Sequence, residues 1–131
     1  MPVTKRLFRP EQRLRHALEF QRVYAAKMRK LRGPLAAFAV PNALPQHRLG
    51  LAVGRPVGNA VRRSRVKRLI REAFRLSQAL LPVRPDGAYD IIISPRVHKP
   101  MPLAEYEALL LALANELHRE WERRARREGP A

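Results

Sequence analysis

The chain has 131 residues, enough for one domain with a single modest core, and its 46% hydrophobic content argues against wholesale disorder. Lys and Arg number 27 against 11 Asp and Glu, a net charge of +16; cysteine is absent, which excludes disulfides, thiolate metal sites and a Cys nucleophile. No apolar run reaches the roughly 20 residues of a membrane span, and the basic N-terminus lacks a signal peptide's apolar stretch, so a cytoplasmic protein is expected.

In chain order, residues 1–10 read as a flexible basic arm of a single domain that takes in all of 1–131. A helix is expected over 11–30, with Leu14, Ala17, Leu18, Val23 and Ala25 as its apolar stripe and Gly33-Pro34 as its stop. A short strand over 35–40 and an alternating strand over 48–53 come next, the second burying Leu49, Leu51 and Val53. After the tight Gly54–Asn59 connection, Asn59 suits the N-cap of a helix running to about Leu80. The apolar run 89–94 reads as a buried strand. A long amphipathic helix over 103–128 repeats Tyr106, Leu109, Leu110, Leu113, Leu117 and Trp121 at spacings of three and four, with a frayed tail from 122 to 131. The order helix, strand, strand, helix, strand, helix makes a two-layer α/β sandwich of the α+β kind.

The charge is lopsided. Residues 1–79 hold 19 basic and 3 acidic side chains, whereas residues 80–131 hold 8 of each. Such a surplus opposes compaction unless a polyanion offsets it, and a polyphosphate rewards clustered cations by releasing condensed counterions. The basic residues concentrate between Ala60 and Arg75. At about 100° per residue, Val66, Leu69, Ile70, Ala73 and Leu76 share one face of that helix. Arg62, Arg63, Arg65, Lys67, Arg68, Arg71 and Arg75 face only one acid, Glu72, within the segment. Ion pairs one turn apart cannot neutralise them, so they call for an external partner. The free N–H groups after Asn59 form an anion site, which Gly58 opens to close approach and Arg55 borders. A solvated basic face and an acidic membrane are the competing readings; the second is weakened because the apolar face is committed to a core.

The stretch 48–75 resembles the signature of the bacterial ribonuclease P protein family. It has the turn Gly58-Asn59-Ala60-Val61 and then Arg63-Ser64-Arg65-Val66-Lys67-Arg68-Leu69-Ile70-Arg71, similar to the family's Arg-Asn-Arg-x-Lys-Arg-x-x-Arg helix. The resemblance extends to Arg13-Leu14, to Glu19-Phe20-Gln21-Arg22-Val23-Tyr24 and to Tyr89-Asp90-Ile91-Ile92-Ile93, covering roughly 13–117 in order. Ser64 replaces the family's Asn, and Arg55-Pro56 replaces a usual pair of basic residues. The resemblance implies a left-handed β-α-β crossover, which general topology rules would not predict. It implies a subunit that assists a catalytic RNA in removing the 5′ leader of precursor tRNA. Magnesium then serves the RNA, and the protein needs no cofactor, no metal ligand, no catalytic side chain and no obligate protein partner. RNA contacts carried over by position are Asn59, Arg62, Arg63, Arg65, Lys67, Arg68 and Arg71, with Arg55 beside them; leader contacts are Phe20, Tyr24 and Phe38.

Two other classes compete. A self-sufficient protein nuclease needs clustered carboxylates or a His/carboxylate pair. The basic half offers only Glu11, Glu19 and Glu72; six acids fall in the last helix, where pairing with its own arginines is expected. His16, His47, His98 and His118 lack ligand spacing and read as surface residues. A structural RNA binder fits the composition equally well, and only the ordered signature argues against it.

Overall fold

The computed structural model describes residues 9–128. A 3-10 turn at Pro10–Gln12 opens the described chain, so the arm expected over 1–10 lies almost wholly outside the described residues. The first helix, α1, runs only over Ala17–Ala25 rather than 11–30. Its start is delayed because the chain before it has another partner: Leu14 N–H donates to Leu49 O at 3.0 Å, tying 13–14 to a strand edge. The Glu19 carboxylate then accepts from the Arg15 and His16 N–H groups and begins the helix. Lys27 takes a left-handed conformation (φ +54°), and the chain turns back.

The next element is a strand that the sequence pattern did not indicate. β1, Arg29–Arg32, pairs antiparallel with β2, Leu35–Pro41, across the two-residue turn Gly33-Pro34, where Gly33 supplies φ +56°. Arg-Lys-Leu-Arg carries no strand signal, and β1 forms because it lies at the sheet edge, where charged side chains reach solvent. β3 spans Arg48–Leu51, shorter than 48–53, and Ala52 N–H continues the ladder to Ile93 O at 3.0 Å. β4, Tyr89–Pro95, lies centrally between β2 (antiparallel) and β3 (parallel), giving the order β1-β2-β4-β3.

Between β3 and β4 runs α2, Ala60–Ser77, followed by a 3-10 turn at Gln78–Leu80. Asn59 caps it as expected, its Oδ1 accepting from Arg62 N–H at 2.9 Å. α3 spans Leu103–Arg127, so the helix continues through the segment expected to fray from 122. Val66, Ile70, Ala73 and Phe74 of α2 and Tyr106, Leu110, Leu113 and Leu117 of α3 are buried against Leu35, Ala37, Ala39, Leu49, Ile91 and Ile93. Trp121 half-buries its ring there and donates Nε1–H to Ala39 O at 2.9 Å.

Alternation sends Arg48, Gly50, Ala36, Phe38, Val40, Asp90 and Ile92 to the opposite face, part of which α1 covers with Phe20 and Val23. The expected α1 stripe forms only in part: Leu14 and Val23 are buried, but Ala17, Leu18 and Ala25 are exposed, Leu18 at 76%. A nine-residue helix resting on one sheet patch needs only one turn-spaced contact line. His47 also departs from its expected place: it is buried, and its Nδ1 accepts from Tyr89 N–H at 3.1 Å. His118 is half-buried, 2.7 Å from the Tyr89 hydroxyl.

Candidate nucleic-acid interface

α2 divides its cations between two flanks because its buried arc, centred on Val66, Ile70 and Ser77, splits the polar surface. Lys67 and Arg71, one turn apart, point toward β3. There, with Arg13, Arg15, Leu14, Phe20, Leu49 and Leu51, they line a cavity of about 290 Å³. Four cations and an aromatic ring therefore surround a space whose lining contains no carboxylate. Their mutual effect is visible in Arg71: burial, then the neighbouring Arg13 charge, push its guanidinium below the ordinary arginine range. On the other flank Arg65 and Arg68 border a shallow groove with Leu69 and Glu72. Glu72 is committed to Arg75, and the Arg75 pairing holds its carboxyl below the usual carboxylate range. Arg62, Arg65, Lys67 and Arg68 make no ion pair among the described residues. Arg63 is half-buried, and its Nε is enclosed without a hydrogen-bond partner among the described residues.

The helix entry differs from expectation in one respect. Gly58 has φ +149°, and a Cβ there would lie 2.6 Å from Arg62 Cδ. The close approach that Gly58 permits is made by the stem of Arg62. Arg55 is exposed in the 3-10 turn Arg55–Val57, where Pro56 fits because its fixed φ suits a first turn. Ser64 is exposed on α2.

The aromatic residues share the sheet face that α1 partly covers. Tyr24, 38% exposed, meets Phe38 edge-on with ring centroids 4.9 Å apart, and the Arg29 guanidinium lies 5.9 Å from the Phe38 centroid. Phe20, one turn before Tyr24, sits instead over β3, where a Cβ on Gly50 would lie 2.7 Å from its Cζ. The face thus has an aromatic pair at the β1–β2 side and Phe20 bordering the cationic cavity at the β3 side. α1 is held in place by charge as well as packing. Asp90 is fully buried; it accepts from Arg48 Nε and Nη2 at 2.8 and 2.7 Å, from Arg22 at 3.1 Å and from Asn42 at 2.9 Å. Arg48 also reaches Glu19 at 3.1 Å, so both ends of α1 are tied to β3 and β4.

Sequence reasoning assembled the α2 cations and the three aromatics but missed Arg13, Arg15, Arg29 and Gly50. The first three were hidden inside an over-long helix, where charged residues signal only a solvated face. Gly50 gave the only available signal, a glycine inside an alternating strand, which marks close approach. No described helix is long and apolar enough to cross a membrane.

The family model described as Ribonuclease P matches residues 8–120. The chain belongs to the ribonuclease P protein family. It is 37% identical over 107 residues to the ribonuclease P protein component of Methylococcus capsulatus, covering 81% of this chain and 77% of that one. With the corresponding protein of Syntrophobacter fumaroxidans it shares 43% identity over 75 residues, a match spanning 57% of this chain and 63% of that relative's length. The solved ribonuclease P protein of Staphylococcus aureus superposes with a TM-score of 0.67 at 27% identity, over 79% of this chain and 93% of that one. The α+β sheet with three helices is therefore that of this family of ribonuclease P proteins.

Proposed function

We propose that this chain is the RNA-binding protein subunit of a bacterial ribonuclease P, acting in the cytoplasm in the endonucleolytic removal of 5′ leaders from precursor tRNA. The observation that carries this reading is the acid-free cavity between α1 and α2, where Arg13, Arg15, Lys67 and Arg71 surround Phe20. Convergent cations with a stacking ring suit a phosphodiester chain with bases attached, because phosphates reward the charge and a ring accepts any base. The exposed α2 flank, with Arg62, Arg65 and Arg68 and the Arg55–Asn59 turn at its head, meets the phosphate backbone of ribonuclease P RNA. The face bearing Phe20, Tyr24 and Phe38 receives the single-stranded leader. Hydrolysis belongs to the RNA and its magnesium ions; the protein's part is to hold the leader and offset phosphate charge. That family membership and this charge arrangement coincide is the support for the reading.

Cleavage of a precursor tRNA at low magnesium tests it, comparing a bacterial ribonuclease P RNA alone, the protein alone and the mixture. Cleavage only in the mixture is expected. Cleavage by the protein alone overturns the assignment of chemistry to the RNA. Tight RNA binding without stimulation converts the chain to a structural RNA binder.

A further inference from the structure

We propose that a second cationic surface, at the β1 edge and the last turns of α3, extends the leader path and takes the upstream part of long 5′ leaders. This rests on the reading that the leader lies against Tyr24 and Phe38. The register of β1 on β2 places Arg29 opposite Phe38, on the same sheet face, and its guanidinium lies 5.9 Å from that ring. The aromatic pair is therefore bordered by a cation on the side away from the α2 cavity. Just before β1 the chain turns at Lys27, which is exposed.

α3 lies on the other face of the sheet yet reaches this same edge. Arg32 pairs with Glu116 at 3.3 Å and Lys30 with Glu120 at 3.4 Å, while Arg124 Nη1 donates to Ala26 O at 3.4 Å and stacks over Trp121. Those contacts draw Glu116 to β1, while Glu120 is shared between Lys30 and the helix's own Arg123, so the pairing with α3 arginines that the sequence suggested holds for Glu120 and not for Glu116. Lys27, Arg29, Arg124 and Arg127 make no ion pair among the described residues, so the edge keeps a positive surplus. Helix-dipole complementation accounts for basic residues in a last turn, and protection of an edge strand accounts for charge on β1. Neither accounts for Arg29 over the cleft ring or for Lys27 at the α1–β1 turn. A single strand leaving Phe38 meets Arg29, then Lys27 and the α3 arginines, as a cationic track beside a stacking platform requires. Arg124 and Arg127 lie in the part of α3 beyond the stretch that the family model matches, whereas Lys27 and Arg29 lie within it.

The test uses the chain assembled with a ribonuclease P RNA and precursor tRNAs bearing leaders of about 5 or about 15 nucleotides, a range spanning single-strand site sizes. The wild type is expected to bind the longer leader about fivefold more tightly, as one added phosphate contact gives at moderate salt. The Lys27→Ala, Arg124→Gln, Arg127→Gln triple variant should lose that gain with unchanged short-leader affinity. The charge-keeping Arg124→Lys, Arg127→Lys variant should retain it, and thermal unfolding establishes that both fold. No length-dependent gain in the wild type, a gain that survives the triple substitution, or an equal loss for both leaders overturns the proposal. If leaderless tRNA binds as well as the short-leader substrate, it is the cleft reading itself that fails.

Discussion

Replacing Lys67 and Arg71 together with Ala removes both α2 cations from the cavity they share with Arg13, Arg15 and Phe20. Each phosphate contact to a single strand contributes about 0.7 to the slope of log affinity against log salt. Losing two lowers that slope by about 1.4, which at about 0.1 M salt, referred to 1 M, is a fall of roughly 25-fold in affinity. Folding moves differently. Burial and then the neighbouring Arg13 charge already depress the pKa of the half-buried Arg71, and Ala is a better helix former, so the free variant should unfold at the same temperature or higher. Filter binding or fluorescence titration of precursor tRNA across a salt series, with thermal unfolding of the free protein, reads both quantities. An unchanged slope refutes phosphate contact at this cavity. A lower unfolding temperature alongside the weaker binding refutes the idea that these cations serve a ligand and not the fold.

Three further outcomes rest on particular contacts. Gly50→Ala places a Cβ 2.7 Å from Phe20 Cζ and 3.1 Å from Leu14 Cβ, so a loss of about 1–3 kcal/mol is expected. In a double-mutant cycle with Phe20→Ala most of that loss should disappear, and strictly additive stabilities would contradict the contact. Asp90→Ala strips a buried carboxylate from Arg48 and Arg22 and should cost about 3 kcal/mol or more in urea unfolding; a loss under about 1 kcal/mol would show that Glu19 alone anchors Arg48. His47 is kept neutral: burial, the largest effect, lowers its pKa, and its Nδ1 must stay unprotonated to accept from Tyr89 N–H. The folded state then binds fewer protons than the unfolded one, so stability is present above the unfolded pKa of about 6.5 and falls as pH drops below it toward the lowered folded value. His47→Gln should flatten the pH dependence of unfolding in that window, and an unchanged slope would assign it to another group.

The α2 helix, its cap and its basic surface were legible in the sequence because a strong N-cap, a clean apolar period and a shortage of acids all concern residues close along the chain. The same holds for β4, whose run of isoleucines needs no partner to be recognised, and for the stripe of α3. Family membership was legible for the related reason that motif order and spacing are properties of the chain alone. What the sequence could not reveal depended on pairing between distant segments. β1 exists only because Arg29–Arg32 finds β2 across Gly33-Pro34, and α1 starts at Ala17 because Leu14 finds Leu49 O. Asp90 is charged and buried because Arg48 and Arg22 arrive from other elements. Likewise the cavity that gathers Arg13, Arg15, Lys67 and Arg71 arises where the N-terminal segment lies along the β3 edge beside α2. Local periodicity determines which face of an element is apolar, but hydrogen-bond partners and neighbouring charges come from segments tens of residues away, and only the folded chain brings them together.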